Sequence, residues 1–301
     1  MNINEVLTKK SGEQVSFKAV LTKKDLTPKN GGGNLLNIAL ADSNSRFSFP
    51  IFDDVDKFDK GLVLGRAYLV NGVVNIWNGN FQLKGLTFRS LKEDEYTPGE
   101  FISAYDIPEP LITQFENIIN GLIEPYKTIA KHTIGMEGDI KRWTKFIACP
   151  SAESHHGNKI GGLFLHTMGV IGNIANMEKM YGKLNMYGDA QAVINWSRLK
   201  LKAIIHDYKK VDEYEYDTFI RRIPGVVGHI YDGVGYIDEI NKECGNILSR
   251  EELENIKVSI LSHHGQYGPQ QPNNDEDMLL HLSDMIDSRI VGRMEEHQRN
   301  I

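Results

Sequence analysis

The stretch LKAIIHDYKKVDEYEY, Leu201–Tyr216, ends an apolar run on an imidazole and a carboxylate. With Leu199 before it, the run Leu201, Ala203, Ile204 and Ile205 reads as a helix with a buried inner face. His206 and Asp207 lie three and four residues after Ala203, so they close that face. Polar groups in such a place need partners, because burying them unpaired costs on the order of kcal/mol each.

Moving outward, the same anomaly recurs. His166 lies three residues after Leu163 and four before Val170 in GLFLHTMGVIGNIANMEKMYG. His263 and His264 follow Ile260 by three and four at the end of SREELENIKVSILSHHG, which opens with a capping box, Ser249 with Glu252. Asp284 follows Leu280 by four in MLLHLSDMIDSRI, and His229 falls in the first turn of a helix in PGVVGHIYDGVGYI. One inward histidine is an ordinary core residue. Several imidazoles and two carboxylates on apolar faces of separate helices call for a shared divalent cation. A His and carboxylate set without thiolate suits Mn, Fe, Co, Ni or Zn, and adjacent ligands such as His206 and Asp207 can serve two ions if the carboxylate bridges.

The rest of the chain divides by texture. Residues 1–92 read as short strands broken by Gly and Asn: EQVSFKAVLTKKDL, GGGNLLNIALAD, SRFSFPIFDD and a pair around Asn78-Gly79, with a short helix in DVDKFDKGLVLG between the third and fourth. Five strands with a helix in that place predict an OB-like β-barrel, with a meander or an SH3-like barrel as alternatives. Residues 93–110, acidic and carrying three prolines, read as a linker, and 111–301 as helices. The expected class is α+β multidomain.

The formal net charge of −6 excludes a globally basic nucleic-acid binder, so any such surface must be local. Residues 1–95 hold 13 Lys+Arg against 11 Asp+Glu and the remainder 21 against 29, so only the β half is comfortable beside phosphate. Cys149 and Cys244 form no CxxC pair, which argues against a thiolate zinc site or a disulfide framework. With no apolar leader and no run of membrane-spanning length, a cytoplasmic location is expected, with no membrane partner. Phe47 and Phe49 share one strand face and Phe52 takes the other; Phe52 and Trp77 are the aromatic side chains expected to be exposed for base stacking.

His166, then His206-Asp207, then Asp284 resembles the H…HD…D signature of the HD phosphohydrolase superfamily. HHGNKIGGLFLHT, HDYKKVDEY, GHI, LSHHGQYG and LLHLSDMIDSR, behind an OB-like half, resemble the YhaM-type 3′-to-5′ exoribonucleases over nearly the whole chain. The resemblance implies an all-α HD domain with up to two transition-metal ions, Mn²⁺ or Co²⁺ favoured. His166, His206, Asp207 and Asp284 would hold one ion. Asp207 would bridge to a second, held by His229, His263 and His264. Lys210 matches a lysine that faces the phosphate in the family, while Lys209 replaces the glycine usual before it. Asp207 and Lys210 are thus the catalytic candidates. The family's upstream histidine falls on His155 or His156, and His156, Arg221 and Arg222 are the candidate substrate contacts beside Phe52 and Trp77. The implied activity is 3′-to-5′ exonuclease action on single-stranded RNA or DNA, most of all RNA, releasing nucleoside 5′-monophosphates. An HD phosphohydrolase of small or cyclic nucleotides, and a nucleic-acid-binding protein with an inert helical half, are the alternatives. A homo-oligomer is compatible with the sequence.

Overall fold

In the β half, alternation of side chains selects the inner face. Val15, Phe17, Ala19 and Leu21 point inward along β1 (Gln14–Pro28). This strand is long enough to serve two partners. Its first half pairs antiparallel with β4 (Ala67–Trp77), from Gln14↔Val73 to Val20↔Ala67. Its second half pairs antiparallel with β2 (Asn34–Ala41), from Val20↔Ala41 to Pro28↔Asn34. The change of partner coincides with a register shift between Leu21 and Lys23, an irregularity that bends the strand. With β3 (Arg46–Ile51) and β5 (Asn80–Ser90) the five-stranded antiparallel order is β3-β2-β1-β4-β5. The β4–β5 hairpin turns at Asn78 and Gly79, both at positive φ (50° and 77°), as a tight two-residue turn demands. Helix α2 (Val55–Gly61) lies between β3 and β4 as the sequence predicts, and its Phe58 enters the core.

These are coordinates of a computed structural model, which describes residues 1–29, 32–153, 157–183 and 194–299. Among the described residues no ladder joins β3 to β5, so the sheet is not hydrogen-bonded into a closed barrel. The Phe47 and Phe81 rings meet edge-on at 5.7 Å across that seam. Helix α1 (Ile3–Leu7), unforeseen in sequence, is set by a capping box between Asn2 and Glu5 and buries Ile3 and Val6 in the same core.

The first part of residues 93–110 packs on the β unit. Two 3₁₀ turns, Glu93–Glu95 and Pro98–Glu100, lead to Phe101, which packs with Val20 and Ala67. The first compact unit is Met1–Ala104 with Tyr216–Ile220, and the second is Tyr105–Glu215 with Arg221–Ile301.

The second unit is helical: α3 (Glu109–Asn120), α4 (Tyr126–Ile134), α5 (Ile140–Ala148), α6 (Gly162–Met177), α7 (Trp196–Ile205), α8 (His229–Glu243), α9 (Arg250–Ser262) and α10 (Asp275–Arg299). A π-helical turn, Glu178–Lys183, follows α6. A 3₁₀ turn, Tyr208–Asp212, follows α7 and leads to the hairpin strands β6 (Tyr214–Tyr216) and β7 (Ile220–Arg222). Phe115, Phe146 and Phe164 fill the interior, ring against ring at 5.3–6.0 Å. A second interior feature is charged. Lys202 of α7, fully buried, pairs with Glu276 Oε2 (2.8 Å) and donates to Asp277 Oδ1 (3.2 Å) on α10. Arg198 adds two bonds to Glu276 (2.9 and 2.8 Å), and Ser259 of α9 donates to Asp277.

Candidate metal centre

Five segments bring seven side chains to one place. α6 supplies His166 from its buried face, and α7 ends at His206, whose N–H still bonds Lys202 O (2.9 Å). Asp207 follows at φ −112° and ψ 1°, the bridge region between helix and strand. That conformation starts the 3₁₀ turn and leaves the carboxylate inside, 2% exposed. His229 begins α8, His263 and His264 end α9, and Asp284 stands on α10. They form two groups, His166/His206/Asp284 and Asp207/His229/His263/His264, each with one ligand atom per residue within 4.8 Å of the others.

Asp207 faces both groups. Its Oδ2 lies 3.5 Å from the Nε2 atoms of His166 and His206. Its Oδ1 lies 3.2 Å from His229 Nε2 and 3.4 Å from His263 Nε2. Yet Asp207 Oδ1, His229 Nε2 and His263 Nε2 are buried atoms with no hydrogen bond of acceptable geometry.

The other nitrogen of each ring explains why. His206 Nδ1 donates to Ala203 O (2.9 Å), His263 Nδ1 to Ile260 O (2.7 Å) and His166 Nδ1 to Asp287 Oδ2 (2.7 Å), while His229 Nδ1 donates to Glu213. Carbonyl and carboxylate oxygens accept, so the proton is assigned to Nδ1 and the Nε2 lone pairs turn inward. There they meet each other, as His166 and His206 Nε2 do at 3.3 Å, and carboxylate oxygens, as His166 Nε2 meets Asp284 Oδ1 at 3.2 Å. Acceptors facing acceptors in a dry interior repel until a proton or a metal cation stands among them. The donor set therefore fits a divalent transition metal, with rings pre-oriented by their outer bonds as metal-ligating imidazoles are.

On His166 a proton can take the cation's place, and a metal entering the site would displace it. Burial opposes a charge on His166, but hydrogen bonds to Asp284 and Asp287 outweigh it and raise its pKa to about 9. Burial, with the neighbouring His263, pushes His206 down to about 4 and His264 to about 3. Burial favours a neutral Asp207, yet the Lys210 ammonium and His206 hold it well below the usual carboxylate range.

The centre opens on a cleft of about 510 Å³ lined by His166, His229, His264, Asp284 and Lys210, among others. Lys210 Nζ donates to Asp207 Oδ2 at 2.6 Å and is nearly buried. Lys209 turns away to Asp212 and to the Tyr236 ring, 4.9 Å from its Nζ, while Lys210 lines the cleft. Arg221 and Arg222, candidates for a phosphate clamp, do not line the cleft. Arg221 Nε donates to Glu215 (2.7 Å) and Arg222 pairs with Glu213 (2.8 Å). Glu213 in turn holds His229: burial raises its pKa, but the His229 bond outweighs this and keeps it at about 2. In the β unit, Phe52 and Trp77 are 49% and 63% exposed, as expected, and Lys29 Nζ sits 5.2 Å over the Phe52 ring. His155 and His156 lie outside the described residues.

Sequence reasoning missed Asp287 and Glu213, the carboxylates behind His166 and His229. A glycine in the middle of α6 is the one sequence feature that fits the first. Gly169, one turn past His166, has no room for a side chain, since a Cβ there would stand 1.8 Å from Asp287 Oδ1.

No protein-family model matches the chain. Proteins named 3′-5′ exoribonuclease YhaM align with nearly all of it. The one from Oceanobacillus iheyensis is 22% identical over 306 residues, covering 96% of this chain and 89% of the relative. Those from Listeria innocua and Listeria welshimeri are 22% and 24% identical, each covering 93% of this chain and 86% of the relative.

Proposed function

We propose that this protein is a metal-dependent 3′-to-5′ exonuclease of single-stranded RNA, releasing nucleoside 5′-monophosphates. It would join an OB-like strand-holding unit to a helical HD phosphohydrolase unit. The observation that carries the reading is the buried carboxylate of Asp207, whose two oxygens face two imidazole groups, both of which reach the lining of an open cleft. Full-length similarity to proteins named as exoribonucleases supports the choice of substrate.

His166, His206, Asp207 and Asp284 would hold one ion, and Asp207, His229, His263 and His264 the other, Mn²⁺ or Co²⁺ above Fe, Ni or Zn. Bound there, such ions supply Lewis acidity to phosphoryl oxygens and lower the pKa of water. The chain's own residues do the rest. Asp287 and Glu213 fix the tautomers that leave Nε2 free on His166 and His229. Lys210 spends one of its three N–H donors on Asp207 and brings the others to the cleft, where phosphate charge grows in the transition state. Phe52 and Trp77 offer faces on which bases of the strand can stack.

The test is incubation of 5′- and 3′-labelled RNA and DNA oligomers with the protein and Mn²⁺, with and without chelator. Stepwise shortening of 5′-labelled RNA, early release of 3′ label as mononucleotide, and loss of both in chelator are expected. Hydrolysis of cyclic or free nucleotides with intact oligomers would replace this reading with a small-nucleotide phosphohydrolase.

A further inference from the structure

The cleft carries side chains that the metal centre does not use. Gln266, Tyr267, Gln271 and Arg289 line it from exposed positions. Among the described residues none of these four side chains has a hydrogen bond, an ion pair or a ring contact, and Tyr267 is 79% exposed. The other basic groups near the centre are spent: Lys210 on Asp207, Lys209 on Asp212, Arg222 on Glu213 and Arg221 on Glu215. Arg289 has no such partner among the described residues.

Its position is set by the same helix that carries Asp284. Asp284, Met285, Ser288 and Arg289 share one face of α10, all lining the cleft. Arg289 stands five residues beyond Asp284, about 7.5 Å along the axis at 1.5 Å per residue. Tyr267 comes from a separate element, the 3₁₀ turn Gly265–Tyr267 that follows His264. Gly265 makes that turn at φ +56°, packed so closely that a Cβ would meet the His281 ring at 2.5 Å. Both side chains are thus held at a fixed distance in sequence from a member of the centre.

A substrate with one phosphodiester needs one phosphate site, which the centre and Lys210 already make. An unpaired guanidinium further along the cleft suits a second phosphate, which it can grip with two parallel N–H donors. An exposed ring in the same cleft suits the flat face of a base. We propose that Arg289 and Tyr267 form a subsite for the nucleotide adjoining the scissile bond, Arg289 taking the neighbouring phosphate and Tyr267 stacking on a base. The proposal rests on the exonuclease reading and deepens it: the cleft selects a strand with at least two phosphates over a mononucleotide ester.

The test compares the full-length protein with Arg289→Ala, Arg289→Lys and Tyr267→Ala in Mn²⁺. The substrates are bis(p-nitrophenyl) phosphate, the dinucleotide UpU and the trinucleotide UpUpU. Wild-type kcat/KM should rise from UpU to UpUpU. Arg289→Ala should lose about ten- to a hundredfold more on UpUpU than on UpU or the ester, the range of a charge-assisted hydrogen bond. Arg289→Lys should recover part of that difference. Tyr267→Ala should lose more on both oligonucleotides than on the ester. Metal content, read by elemental analysis, should match wild type in all variants. Equal losses of Arg289→Ala on all three substrates, or none on any, overturn the subsite. A wild-type protein that hydrolyses the ester and neither oligonucleotide overturns the exonuclease reading, and the subsite with it.

Discussion

The two units mark their candidate functional side chains by opposite departures from ordinary burial. In the helical unit, imidazoles and carboxylates are where apolar groups belong: His206, Asp207 and His263 are at most 2% exposed. In the β unit, rings are where polar groups belong, with Phe52 and Trp77 about half in solvent or more. Buried polar groups and exposed large apolar ones are the informative exceptions to the rule that oil goes inside. The first kind suits chemistry, because a dry site strengthens every charge within it. The second suits grip, because a ring left in water gains by covering itself with a base. Substitutions should therefore separate, with the helical unit controlling kcat and metal content and the β unit controlling KM.

The sharpest way to break this contrast is Asp207→Ala. It removes the carboxylate shared by both groups, so activity should vanish and metal content should fall further than in His264→Ala, as read by elemental analysis. Equal metal content in the two variants would contradict the bridge. Next in size is Lys210→Ala, which should lower kcat roughly 10²–10³-fold with metal retained, while Lys209→Ala, paired with Asp212 on the far side, stays within a few-fold. Asp287→Asn and Glu213→Gln keep their shapes and lose the charge behind His166 and His229. Each should cost about 10–100-fold in metal affinity or activity, measured by competition with a chromogenic chelator. A pure KM effect in either would blur the division between the units. The smallest effects belong to Phe52→Ala and Trp77→Ala, each weakening RNA binding by about 1–3 kcal/mol in KM at constant kcat and metal content. A fall in kcat instead would show that the rings belong to the chemistry.

Much of this was legible because the periodicities were clean. The five strands and α2 fall where alternation and the Asn78-Gly79 turn place them, and the seven His and Asp residues were visible as polar interruptions of apolar helix faces. What was not legible depended on tertiary proximity. Asp287 and Glu213 sit among carboxylates that sequence reads as solvated, and only the approach of α10 to α6 and of α8 to Glu213 gives them a task. Arg221 and Arg222 looked available because their partners, Glu215 and Glu213, come from across a short hairpin. Residues 93–104 have a linker's composition, but Phe101 finds a socket between Val20 and Ala67 that no local pattern announces.

Lys202 and its two carboxylates act as an index mark between α7 and α10. Leu and Ile side chains pack almost as well after a small slide, so an apolar seam sets helix phase weakly. A buried ammonium between Glu276 and Asp277 sets it strongly, since uncoupling such a pair costs about 3–5 kcal/mol. His206 stands one turn beyond Lys202, and Asp284 about two turns beyond Asp277. Slipping α10 by one residue would turn its face by about 100° and move it about 1.5 Å, enough to aim Asp284 away from His166. The charge lock charges that error to the fold before it reaches the cleft, so the two helices come to the centre already in step.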